Sequence, residues 1–187
     1  MIKRDEFVRI VAAARGDAVI VAHYKAAFDL MRVAPSPLNY YSIGAMGQGS
    51  SHALGFALGM PDRRILSFDG DGSLLMNLGS LVTIVSAGPR NLTHLVLQNG
   101  CYETNGSHPL PAVDRIDFAG MARSAGYRQV FDIATLDELH AALPTILNGE
   151  GPIFGCVRIE AGDPSPENFE FMNSAKGRNA FRQAIKR

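Results

Sequence analysis

Two apolar runs, residues 65–68 and 92–97, each end at a polar residue beside glycine, and a third apolar stretch of helical character lies between them. The first run leads into Asp69-Gly70-Asp71-Gly72-Ser73, and the second into Gln98-Asn99-Gly100-Cys101. The stretch between them, about 73–87, opens with Ser73-Leu74-Leu75-Met76 and is stopped by Gly88-Pro89. Strand, helix and strand in this order form one right-handed unit with parallel strands. Asp71 and Asn99 then lie at the same carboxyl edge of a sheet, where open α/β sheets bind their ligands.

The residue types at that edge suit a particular chemistry. Gly70 and Gly72 let the backbone turn tightly and approach a ligand. A helix start offers unpaired N–H groups and partial positive charge to phosphate oxygens. Magnesium prefers six oxygens and shares them between one or two protein groups and a ligand's phosphates. Asp71, the side-chain oxygen of Asn99 and a nearby backbone carbonyl leave room for two diphosphate oxygens and a water. Asp-Gly and Asn-Gly are each common turn dipeptides, but together, with these elements between them, they point to a magnesium and diphosphate site.

The rest of the chain alternates in the same way. Helices are expected over 5–14, 25–31, 50–58, 116–124 and 136–147, and strands over 18–22, 40–43, 127–131 and 152–159. The fold class expected is α/β, a single three-layer domain with a mainly parallel sheet and helices on both faces. Residues 1–160 form that domain, and 161–187 a C-terminal linker, Gly162-Asp163-Pro164-Ser165-Pro166, followed by a terminal helix or tail. Residues 173–187 read as a solvated helix or frayed tail, the alternative being that Phe169, Phe171 and Met172 dock on a partner.

At 187 residues with 47% hydrophobic content, the chain suffices for one such domain and is short of two. Eighteen basic and eighteen acidic residues give a formal net charge of zero, which argues against nucleic acid or an anionic membrane as the main partner. No run approaches a membrane span or a signal peptide, so a cytoplasmic protein is expected. Cys101 and Cys156 make no disulfide framework; Cys156 reads as core.

The context of the glycine-rich turn is narrower than that unit alone. It comprises Ser42-Ile43-Gly44-Ala45-Met46-Gly47, then Asp69-Gly70-Asp71-Gly72-Ser73-Leu74-Leu75-Met76-Asn77-Leu78-Gly79-Ser80-Leu81, then Asn91-Leu92-Thr93-His94-Leu95-Val96-Leu97-Gln98-Asn99-Gly100. It resembles the cofactor-binding half of the thiamine diphosphate-dependent 2-oxo acid decarboxylases, the sulfopyruvate and phosphonopyruvate decarboxylases in particular. The resemblance implies a thiamine diphosphate-binding fold. It implies that Asp71, Asn99 and the carbonyl of Cys101 bind magnesium, that Gly72 and Ser73 meet the diphosphate, and that Gly70 is part of the cofactor site. Met46 matches the bulky residue that holds the cofactor bent, and the Gly44 carbonyl the acceptor for its 4′-amino group. The reaction implied is loss of carbon dioxide from a small anionic 2-oxo acid.

In that family a glutamate on a separate pyrimidine-binding domain activates the cofactor. None of the seven glutamates here lies in a second unit of that sort. The expectation is therefore a hetero-oligomer in which a pyrimidine-binding partner subunit donates it. The chain departs from the family at Val21-Ala22-His23-Tyr24-Lys25-Ala26-Ala27-Phe28, where Thr-Thr-Gly and a later Ser-Arg-Glu are usual near residues 20–29, and either His23 or Lys25 can supply a charged donor instead. His108, in a loop that also departs, reads as a solvated bystander or a substrate contact. Two other classes stand beside this one: a thiamine diphosphate-dependent carboligase or other 2-oxo acid enzyme, and a non-catalytic or nucleotide-binding subunit. For the last, Gly44-Ala45-Met46-Gly47-Gln48-Gly49 lacks the G-x-G-x-x-G order.

Overall fold

The computed structural model describes residues 1–42, 44–160 and 165–186. Ile43 and Arg187, at the ends of two expected elements, and Gly162, Asp163 and Pro164 of the expected linker lie outside the described residues. A two-residue strand β1 (Ile2–Lys3) runs into helix α1 (Arg4–Ala14), followed by β2 (Val19–His23), α2 (Tyr24–Val33), β3 (Asn39–Ser42) and α3 (Gly49–Gly59). Then come β4 (Ile65–Gly70), the short helices α4 (Asp71–Met76) and α5 (Gly79–Ala87), and β5 (Leu92–Gln98). A small antiparallel pair, β6 (Cys101–Tyr102) and β7 (His108–Pro109), flanks a 3-10 turn at Glu103–Asn105. The chain continues with α6 (Phe118–Ala125), β8 (Gln129–Ile133), α7 (Leu136–Asn148), β9 (Ile153–Glu160), α8 (Phe169–Asn173) and α9 (Ala175–Ala184).

The main sheet is parallel throughout, ordered β1-β9-β5-β4-β2-β3, with β8 also pairing β9. β8 pairs with β9 from Ile153 to Val157, and β1 pairs with it at Ile159 and Glu160. The inner strands are buried on both faces, so their residues alternate between two cores. Ile20, Ala22, Leu66, Phe68, Leu95 and Leu97 face α1, α2 and α7, while Val19, Val21, Ile65, Leu92 and Val96 face α3 to α6. That is the three-layer α/β arrangement expected from the alternation. No helix among the described residues is long and apolar enough to cross a membrane.

Two of the expected elements differ in the structure, and strands β1, β6 and β7 are additional to those expected. The single helix about 73–87 is two helices broken at Asn77 and Leu78, because the Asn77 side chain leaves the helix to donate to the Gly47 carbonyl at 2.9 Å. The strand expected over 127–131 lies two residues later, since Tyr127 is a buried side chain whose hydroxyl meets His94. The C-terminal helices are tied down as well as solvated. Phe181 of α9 is buried against Tyr40 and Phe56, with ring centroids 5.4 and 5.3 Å apart, and Met172 of α8 joins the α1/α2 core.

Candidate cofactor and metal site

The parallel register decides which residues meet. β4 and β5 run side by side until Gly70 stands opposite Leu97, so the residues after each strand, Asp71 and Asn99, face one another across the carboxyl edge. β2 ends beside β4, which brings in His23 and Lys25. One cleft at this edge is lined by Met46, Gly70, Asp71, Gly72, Ser73, Asn99 and Cys101. Gly44 is the exception among the residues assigned to the cofactor: it is exposed, with φ +85°, and is absent from that lining.

Asp71 is 2% exposed. Its two oxygens accept from the backbone N–H of Gly72 at 2.8 Å and of Gly100 at 2.7 Å. Burial pushes its carboxyl above the usual carboxylate range, against the pull of the Gly100, Gly72 and Asn99 N–H groups. A buried carboxylate without a cation is costly, and a bound cation relieves that cost. Asn99 Oδ1 accepts from Cys101 N–H at 3.0 Å while its Nδ2 donates to Glu103 Oε2 at 2.9 Å. Among the described residues no three His, Cys, Asp or Glu side chains group as metal ligands. One carboxylate, one amide oxygen and main-chain carbonyls form a hard, oxygen-only set of low charge, which suits magnesium shared with phosphate oxygens. The residues present therefore fit a magnesium diphosphate.

The glycines act differently from expectation. Neither Gly70 nor Gly72 has a positive φ, whereas Gly47 and Gly100 do, at +88° and +79°. A Cβ at Gly72 would stand 2.6 Å from the Tyr102 ring, so its missing side chain admits that ring to the cleft wall. The Met46 turn is clamped from behind: Gly47 N–H donates to Ser73 Oγ at 3.0 Å, and the Gly47 carbonyl accepts from Asn77.

His23 corrects the idea of a charged donor. It is buried on the cleft, and neither ring nitrogen finds a hydrogen-bond partner among the described residues. Burial first, with His52 and His94 adding to it against the pull of Asp69, pushes the imidazole down to about 4, so at neutral pH it is an uncharged donor or acceptor. Lys25 is engaged by Glu167 at 2.6 Å. His108 is exposed on β7 and is not part of the cleft lining. Burial raises the Cys101 thiol, with Glu103 and Asp71 adding to it, which leaves the thiol protonated. Cys156 is core, and burial with nearby carboxylates raises it to about 12.

Three further lining groups, Asp69, Arg4 and Glu103, have no role assigned from the sequence. Asp69 is buried, its Oδ2 3.3 Å from His94 Nε2, and His94 Nδ1 lies 3.3 Å from the Tyr127 hydroxyl. Burial works to raise Asp69, but the bond and charge of His94 hold it below the usual range. Arg4 and Glu103 pair directly across the cleft wall.

Comparison with other proteins agrees with this geometry. The family model described as "Thiamine pyrophosphate enzyme, C-terminal TPP binding domain" matches residues 16–154. Sulfopyruvate decarboxylase subunit beta of Methanothermobacter thermautotrophicus is 35% identical over 164 residues, spanning 87% of this chain and 85% of that subunit. Phosphonopyruvate decarboxylase of Streptomyces viridochromogenes is 38% identical over 156 residues, and there the match covers 82% of this chain but 38% of the relative. A solved structure of a putative thiamin diphosphate-dependent enzyme from Mycobacterium smegmatis superposes with a TM-score of 0.70 at 24% identity, over 85% of this chain and 32% of that one, a likeness of fold. With strand-end Asp71 and Asn99, a bulky residue at Met46 and a family match over most of its length, the chain belongs to the thiamine pyrophosphate enzymes, as their C-terminal cofactor-binding domain.

Proposed function

We propose that this chain is the thiamine diphosphate- and magnesium-binding subunit of a two-subunit decarboxylase for a small anionic 2-oxo acid of the sulfopyruvate or phosphonopyruvate class. The observation that carries the reading is Asp71, a buried carboxylate with backbone N–H bonds and no cationic side chain paired to it among the described residues, facing Asn99 across two adjacent strand ends. In this reading Asp71, the Asn99 amide oxygen and the Cys101 carbonyl hold the metal. Gly70, Gly72 and Ser73 meet the diphosphate. His23, neutral and with both nitrogens free, supplies an uncharged donor at the same wall. Met46, fixed by the Gly47 clamp, presses on the cofactor's middle. Bound here, the cofactor supplies the electron sink that decarboxylation of a 2-oxo acid requires.

The glutamate that activates such a cofactor comes, in this proposal, from a pyrimidine-binding partner subunit. Glu103, the glutamate in the cleft lining, is tied up by Arg4 and Asn99. Met76, at the end of the helix that opens at Asp71, and Val82, on the next helix, stand 61% and 62% exposed, apolar side chains suited to a partner. The relatives named as beta subunits support the same arrangement.

Calorimetric titration of thiamine diphosphate into the chain tests the site, with magnesium and then with chelator. Binding only with magnesium is expected; metal-independent binding contradicts the assignment. With the partner present, carbon dioxide release from sulfopyruvate or phosphonopyruvate, and product analysis with an added aldehyde, separates a decarboxylase from a carboligase.

A further inference from the structure

An asparagine that ligates a metal must present oxygen rather than nitrogen, and the two ends of its amide are nearly the same shape. Asn99 is held in one orientation from both ends. Its Nδ2 donates to Glu103 Oε2 at 2.9 Å, and a carboxylate can only accept. Its Oδ1 accepts from Cys101 N–H at 3.0 Å, and a backbone N–H can only donate. Turning the amide over would set N–H against N–H and oxygen against carboxylate. Oδ1 keeps a second lone pair beyond the one used by Cys101.

Glu103 is itself fixed. Arg4 Nη1 donates to the same Glu103 oxygen, and Arg4 Nε donates to Asp29 Oδ2. Arg4 is 7% exposed and Asp29 1%. Arg4 follows β1, whose pairing to Ile159 and Glu160 sets it at the carboxyl edge of the sheet. The chain of contacts runs from α2 through α1 and the 3-10 turn to the end of β5.

We infer that Glu103, anchored by Arg4, is a positioning residue that aims the Asn99 oxygen at the magnesium. The inference rests on the magnesium reading of Asp71 and Asn99. It does not require Glu103 to touch metal or substrate.

The test is manganese binding, followed by electron paramagnetic resonance on the full chain with thiamine diphosphate present. Glu103→Met keeps the length and removes the acceptor, and should weaken manganese about tenfold or more, the usual scale for groups that orient a ligand. Glu103→Gln offers one oxygen to both donors and should stay within about threefold of the parent, well short of that loss. Asn99→Ala is the control for the reading beneath: parental manganese affinity there overturns the metal site itself. Weakening by Asn99→Ala with parental affinity in Glu103→Met overturns the positioning role alone, and so does equal weakening by Gln and Met. If Glu103→Met does not fold, Asn99→Asp decides. The new carboxylate would face Glu103, so it should lose manganese despite being a harder ligand, and N99D/E103Q should recover it. Full binding by Asn99→Asp alone overturns the inference.

Discussion

In the proposed site Asp71 has two roles, metal ligand and backbone acceptor, and substitutions weigh on them differently. From sequence alone, Asp71→Ala is expected to abolish metal-dependent cofactor binding with little loss of stability. In the structure that change also strips the Gly72 and Gly100 N–H groups of their acceptors, at about 1–3 kcal/mol for each buried donor left unpaired. Asp71→Asn is the milder variant: it keeps one acceptor oxygen but sets its amide NH2 against the other backbone N–H, so stability should fall by about 1–3 kcal/mol, while cofactor affinity measured with magnesium falls by about a hundredfold, roughly 2.7 kcal/mol. His23 gives a second prediction. Its native value of about 4 lies below the ordinary 6.5, so between those values the unfolded chain takes up a proton that the native chain refuses. The stability tied to His23 is complete above about pH 6.5 and is lost as pH falls towards 4, by roughly 3 kcal/mol in all. Urea unfolding of the cofactor-free chain across that window should show a shallower pH slope in His23→Gln, and parallel profiles would rule out a buried neutral imidazole.

At the scale of elements, the break between α4 and α5 lets Asn77 hold the Met46 turn. Asn77→Ala should cost about 1 kcal/mol of stability and reduce kcat more than it weakens cofactor binding, because Met46 loses its backing. An equal fall in both would show that the clamp serves binding only. The inner strands β2, β4, β5 and β9 are legible in the sequence because each is a short apolar run feeding two cores, whereas the two-residue β1 is too short to show. Asp71 and Asn99 are legible because each stands beside glycine at such a run's end. The helix break is harder to see, although Asn77 and Gly79 bracket it, because its cause is a bond to Gly47 thirty residues earlier. Arg4 and Glu103 leave no local signal at all: they meet only because two residues of β1 pair with the far end of β9. His23 looked like a charge because sequence shows residue type, whereas burial decides its protonation.

At the scale of the molecule, the two helices that follow the cofactor cleft carry exposed apolar side chains. Met76 lies against the turn that carries Met46, where a Cβ on Gly47 would come 3.3 Å from its Cβ, and Val82 is exposed on the helix that follows. Val82→Glu changes a residue 62% exposed, so folding should be nearly unaffected, while the dissociation constant for the partner rises about tenfold or more, as for a central interface residue. Unchanged association would move the partner to another face. The most direct test of a split thiamine diphosphate enzyme is native mass spectrometry of the complex from its own cells, with released small molecules identified. A second chain together with thiamine diphosphate and magnesium is the expected result. A homo-oligomer carrying neither would contradict it.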